Sequence, residues 1–155
     1  TRPGEAPVST RILAIDPGSV RLGLAISDSE RRLASPLTTY TRKDDTQDAG
    51  FFRRIIAEHD VGAILIGLPV RADGYEGEQA KAARQFGAWL EQATGLPCTY
   101  FDERLTSFAA DESLLEAGLT KKKRKARRDR VAAQILLQTY LDSLAAQGRP
   151  TGPGA

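Results

Sequence analysis

With 155 residues, 41% of them hydrophobic and 27% charged, the chain has the proportions of one globular domain large enough to bury a core. Within these residues no run approaches the roughly 20 apolar positions of a membrane span, no signal-peptide hydrophobic stretch occurs, and Cys98 is the single cysteine. Within these residues a disulfide framework and a cysteine metal cluster are thereby excluded, and a cytoplasmic protein with no membrane partner is expected. The net charge of +2 conceals an asymmetry. Lys121 to Arg130 holds eight of the 22 basic residues and one of the 20 acidic ones, so the remainder of the chain carries a net −5. Such a concentration calls for a polyanionic partner.

Residues 1–10, with Pro3, Gly4 and Pro7, are expected to form a flexible tail. Two apolar runs, Ile12 to Ile15 and Leu22 to Ile26, flank a turn at Pro17, Gly18 and Ser19, which predicts a β-hairpin with Asp16 at its tip. Leu33 to Tyr40 reads as a third strand, interrupted or bent at Pro36. Asp44, Asp45 and Thr46 offer an N-cap and first-turn acids for a helix whose apolar face is Phe52, Ile55, Ile56 and His59. His59, the only histidine, is expected to be structural or capping.

Ala63 to Leu68 is apolar throughout, as a parallel strand buried on both faces should be. A loop to Gly77 and a helix with Ala83, Phe86, Leu90 and Ala93 inward follow, stopped by Gly95 and Pro97. Trp89 is expected to cover the core edge beside that face. Cys98 to Phe101 is the next strand, running into Asp102, Glu103 and Arg104. A helix capped by Thr106 or Ser107 should end at Gly118, and a last helix should run from about Asp129 to Ala146. Its predicted apolar positions are Val131, Ala132, Ile135, Leu136, Tyr140, Leu141 and Leu144. Residues 148–155 read as a disordered tail, which leaves one domain over 11–147. The order of elements implies a mixed sheet with helices on both faces.

Three acids fall at element ends: Asp16 after the first strand, Glu103 after the last, and Asp129 opening the last helix. Strands of an open α/β sheet deliver ligand-binding residues to one edge, which could bring the three together. Clustered carboxylates repel unless a cation sits among them, and hard oxygen ligands select Mg²⁺ or Mn²⁺. A pair of such ions can activate water for phosphodiester hydrolysis. Lys121, Lys122, Lys123, Arg124, Lys125, Arg127, Arg128 and Arg130, beside Asp129, are candidates to hold a nucleic-acid backbone. Each residue has a plainer role open to it as well. Asp16 could bond turn amides, Asp129 could offset a helix dipole, Glu103 could pair with Arg104 or Lys121, and the basic run could be a solvated face.

Four motifs in order carry a family resemblance over Arg11 to Ser143: Ile15-Asp16-Pro17-Gly18 with Arg21 to Ala25; Gly67-Leu68-Pro69 with Asp73, Gly74 and Gly77; Asp102 to Thr106; and Asp129 to Ala133 with Ile135 to Gln138. The chain resembles the YqgF (RuvX) family, described as Holliday junction resolvases and as nucleases for the 5′ end of pre-16S ribosomal RNA. The resemblance implies a ribonuclease H-like fold with a five-stranded sheet, the first three strands antiparallel and the later ones parallel. It implies that Asp16, Glu103 and Asp129 are the metal ligands of a two-metal nuclease. Arg21 and the loop from Gly67 to Gly77 become positions that touch the substrate backbone or order the loop. Strand alternation turns Asp102 away from Glu103. Pro17 gives the Asp-Pro-Gly seen in RuvC-type resolvases. The expected substrates are precursor ribosomal RNA or branched DNA, with a homodimer if a two-fold junction is resolved. Two other classes compete: a non-catalytic nucleic-acid-binding or ribosome-assembly protein, and a phosphotransferase of the actin and sugar-kinase type, which also opens on an Asp-x-Gly hairpin.

Overall fold

In the computed structural model, residues 10–17, 21–106 and 120–147 are described. The apolar runs form β1 (Arg11–Pro17) and β2 (Arg21–Ser27), followed by β3 (Ala34–Thr41), α1 (Asp45–His59), β4 (Val61–Leu68), α2 (Glu78–Thr94) and β5 (Cys98–Asp102). One 3₁₀ turn, Glu103–Leu105, and the long helix α3 (Lys121–Ala146) complete the described elements. The sheet order is β3-β2-β1-β4-β5. The first three strands pair antiparallel, whereas β4 runs parallel to β1 and β5 parallel to β4. This is the mixed five-stranded sheet that was expected.

Alternation along each strand sorts the side chains into two layers. Leu13, Ile15, Leu22, Leu24, Ile64 and Ile66 pack with Phe52 and Ile55 of α1 and with Ala83, Phe86 and Leu90 of α2. Ile12, Ala14, Ala25 and Leu65 face Ala133, Leu136, Leu137 and Leu141 of α3. On this side the sheet offers the small residues Ala14 and Ala25 to the leucines of α3. Trp89 is partly buried and stacks on Phe86 with ring centroids 5.9 Å apart, covering the core edge as expected.

Caps behave as the residue types dictate. Asp44 accepts from the Gln47 amide at 2.8 Å and opens α1; Gly95, at φ +75°, closes α2. His59 ends α1, and Asp60 after it adopts the left-handed conformation. The bend at Pro36 is a register shift, with Leu24 opposite Thr38 but Ala25 opposite Pro36. Leu37 is the extra residue, and a proline that cannot donate sits where pairing breaks.

Four expectations need correction or completion. The last helix begins at Lys121, capped by the Thr120 hydroxyl, which accepts from the Lys123 amide at 3.2 Å, so Asp129 lies two turns inside rather than at the start. The basic run is itself helical because lysine, arginine and alanine are strong helix formers. Helix α3 buries Leu136 and Leu141, as predicted, together with Ala133 and Leu137, whereas the predicted Val131 and Ile135 are only partly buried. Asp48, to which the sequence pattern assigned no role, is fully buried. Thr10, assigned to the tail, accepts two bonds from the Arg31 guanidinium at 3.0 and 2.8 Å. The rest of that tail, the Gly18–Ser19 turn, the helix expected over 106–118 beyond Thr106, and the C-terminal tail from residue 148 lie outside the described residues.

Candidate active site

Asp16 continues the series Ile12, Ala14 on β1 and therefore projects to the α3 face at the carboxyl end of the strand. Its partner across the hairpin is Gly23. A β-carbon at Gly23 would fall on the backbone carbonyl of Asp129, so the missing side chain is what allows α3 to seat Asp129 against β2. On the other side of β1, a β-carbon at Gly67 of β4 would stand 2.5 Å from the Glu103 Oε1. Two glycines, one on each neighbour of β1, clear the space around Asp16. Gly23 was part of a motif with no site role in the sequence reading, and Gly67 was expected only as the start of a loop that touches the substrate backbone or orders itself. A glycine inside a strand was the available signal of close approach.

The Glu103 carboxyl is hydrogen-bonded to that of Asp16. Burial first, then that bond, then the charges of Asp16 and Asp102, push the Glu103 carboxyl up to about 9, so at neutral pH Glu103 carries a proton. Asp102 turns the other way, as alternation predicted. It takes the Arg104 guanidinium at 2.6 Å and the Arg104 amide at 2.9 Å, which holds its carboxyl below the usual range. Arg104 is thereby spent on Asp102 and not on Glu103.

Asp129 is held separately. Its Oδ2 lies 3.3 Å from the Arg21 Nε, with both side chains mostly buried. Burial raises its carboxyl pKa; Arg21, Lys125 and Arg128 pull it down, and the charge of Asp16 adds to the rise. Arg21, expected at the substrate backbone or in loop ordering, thus anchors the third acid. Among the described residues no three His, Cys, Asp or Glu side chains converge into one cation shell. The acids stand as a protonated pair, Asp16 with Glu103, and a neighbour drawn to Arg21.

The basic residues ride on the first turns of α3. Lys121, Lys122, Lys123, Lys125 and Arg127 are exposed, while Arg124, Arg128 and Arg130 are partly covered. The loop after β4 orders itself: the Asp73 carboxylate accepts from the Tyr75 amide at 3.0 Å, and the Arg104 Nη1 meets the Arg71 carbonyl at 3.4 Å. No helix among the described residues is long and apolar enough to cross a membrane.

Comparison with known proteins agrees with this geometry. The family model described as RuvX, Holliday junction resolvase, matches residues 10–143. A Rhodopirellula baltica protein bearing the name pre-16S rRNA nuclease is 39% identical over 146 residues, covering 94% of this chain and 84% of its own. A similarly named protein of Lachnospira eligens is 42% identical, over 86% of this chain and 97% of its own. Among solved structures, T. thermophilus RuvC in complex with a Holliday junction superposes with a TM-score of 0.55 at 14% identity, covering 91% of this chain and 99% of that one. The Fowlpox virus resolvase superposes at 0.53 and 11%, covering 87% and 99%. These two share the ribonuclease H-like fold. On the match over residues 10–143 and the identity to its relatives, the chain belongs to the RuvX (YqgF) family of nucleases.

Proposed function

We propose that the chain is a divalent-cation-dependent nuclease that hydrolyses phosphodiester bonds in the 5′ region of pre-16S ribosomal RNA, with Asp16, Glu103 and Asp129 at its centre. The observation that carries the reaction is the Asp16–Glu103 pair. Two carboxyls are pressed together between two glycine-lined strands, with a proton where a cation would neutralise them better. An all-oxygen donor set fits Mg²⁺ or Mn²⁺; Asp16 and Glu103 would hold it as they stand, and Asp129 would complete the set by turning from Arg21. When bound, the ion supplies an activated water and charge compensation for the leaving oxygen.

The chain's own residues do the rest. Glu103 gives up its proton on loading, so metal uptake strengthens as pH rises towards about 9. Arg21 orients Asp129 and tempers its charge. The cations of α3 hold the phosphate backbone beside the acids. The ribosomal RNA substrate is favoured by the names of relatives at about 40% identity. A branched DNA junction, cleaved by a homodimer, is the second reading and is favoured by the family description. A cleavage panel of precursor ribosomal RNA, junction DNA and linear DNA, with Mg²⁺, Mn²⁺ or EDTA, tests both. Binding without metal-stimulated cleavage of any substrate would instead make this a non-catalytic assembly protein.

A further inference from the structure

Beside the acids, a cleft of about 320 Å³ separates the flank of α3 from the bulge in β3. Its walls are Arg127, Arg130, Val131 and Gln134 on the helix and Pro36 and Leu37 on the edge strand. The chemistry is two-sided. One wall supplies two guanidinium groups, and the other an apolar ledge from which Pro36 can donate no backbone hydrogen bond. Among the described residues neither Arg127 nor Arg130 has an ion-pair partner, whereas Arg21, Arg42, Arg84 and Arg104 each hold a carboxylate. Helical spacing puts Lys123, Arg127, Arg130 and Gln134 in one row, at i, i+4, i+7 and i+11. Arg130 follows Asp129 directly, so the row lies about 100° round the helix from the acid centre.

We propose that this cleft is the track for one strand of nucleic acid, its phosphates on Arg127 and Arg130 and a sugar or base against Pro36 and Leu37. The proposal rests on the nucleic-acid substrate proposed above and adds which strand geometry is taken and by which face of the basic helix. A row of cations opposite an apolar ledge suits an unpaired strand, whose bases are free to turn onto the ledge. A duplex keeps its bases stacked inside and would use cations all round the helix alike.

The test is binding of a short single-stranded RNA and of a duplex of the same length, in EDTA so that nothing is cleaved. The full chain is compared with the R127A/R130A and K121A/K122A proteins, which lose equal charge. The track predicts that R127A/R130A weakens single-strand binding about 25-fold at 0.1 M salt and lowers the salt slope by about 1.4, the contribution of two phosphates. K121A/K122A should lose less than a quarter of that factor. In addition, a photo-crosslinker at Leu37 should capture the single strand and not the duplex. Equal losses in the two variants, or equal crosslinking to strand and duplex, overturn the track while leaving the nuclease reading intact. No binding by the unaltered chain overturns both. Binding as predicted, with no metal-stimulated cleavage, overturns the nuclease reading alone.

Discussion

Two carboxylates, Asp48 fully buried and Glu103 partly so, show opposite solutions to the cost of burial. Burial works against the charge of Asp48, but the Tyr40 hydroxyl at 2.7 Å, the Lys43 amide at 2.9 Å and the Arg42 Nε at 3.2 Å outweigh it, and its pKa is lowered. Tyr40, buried beside that charge, is pushed up to about 12. Arg42 in turn lies over the Phe86 and Trp89 rings at 4.9 and 5.4 Å. Asp48→Ala strands all three donors and should cost about 3 kcal/mol in urea unfolding; a loss under about 1 kcal/mol would contradict that account. Glu103 has no such cations, so it keeps a proton. Its folded pKa lies above the unfolded value of about 4.5. The stability it contributes is complete below pH 4.5 and is lost as pH rises towards 9. Melting temperatures in EDTA should therefore fall from pH 5 to pH 9 more steeply for the unaltered protein than for Glu103→Gln, and parallel profiles would refute the protonated pair. Asp16 and Glu103 were legible from sequence because each sits at the end of a strand; Asp129, two turns inside α3, was legible through the basic run around it and the motif from Asp129 to Ala133. Asp48 was not, because its partners come from the end of β3 and the chain just after it.

At the scale of elements, the strands were legible nearly to the residue, since apolar runs and alternation are local. The phase of α3 was legible only in part: Leu136 and Leu141 were predicted and are buried, whereas Ala133 and Leu137 of the same stripe were not singled out. What places Asp129 is contact across the chain, where Gly23 of β2 admits the helix backbone. Gly23→Ala would drive a methyl into the Asp129 carbonyl. We expect about 1–3 kcal/mol of destabilisation, from overpacking, together with loss of cleavage. Gly50 of α1 is the control, since a β-carbon there meets nothing within 4 Å. Gly50→Ala should stabilise the fold by about 0.5–1 kcal/mol and leave cleavage unchanged. Equal effects at the two positions would mean that close approach at Gly23 is not what seats Asp129.

At the scale of the molecule, among the described residues α1 and α2 cover one face of the sheet and α3 the other, and the candidate site gathers on the α3 face. That helix carries the proposed catalytic acid Asp129 and the proposed backbone-holding Arg130 on consecutive residues, which would join binding to chemistry in one element. Composition revealed the concentration of charge. It could not reveal that the basic run is helical, nor that Arg127 and Arg130 face the bulge of β3 while Asp129 faces Arg21. The Asp16–Glu103 pair is the proposed centre of metal-dependent hydrolysis. Its most direct test is the rate of Mn²⁺-stimulated cleavage of precursor ribosomal RNA by the unaltered, Asp16→Asn and Glu103→Gln proteins, each first shown to bind the RNA equally in EDTA. The prediction is a loss of about 100-fold or more in both variants with binding preserved. Cleavage within a few-fold of the unaltered protein in either variant would contradict it.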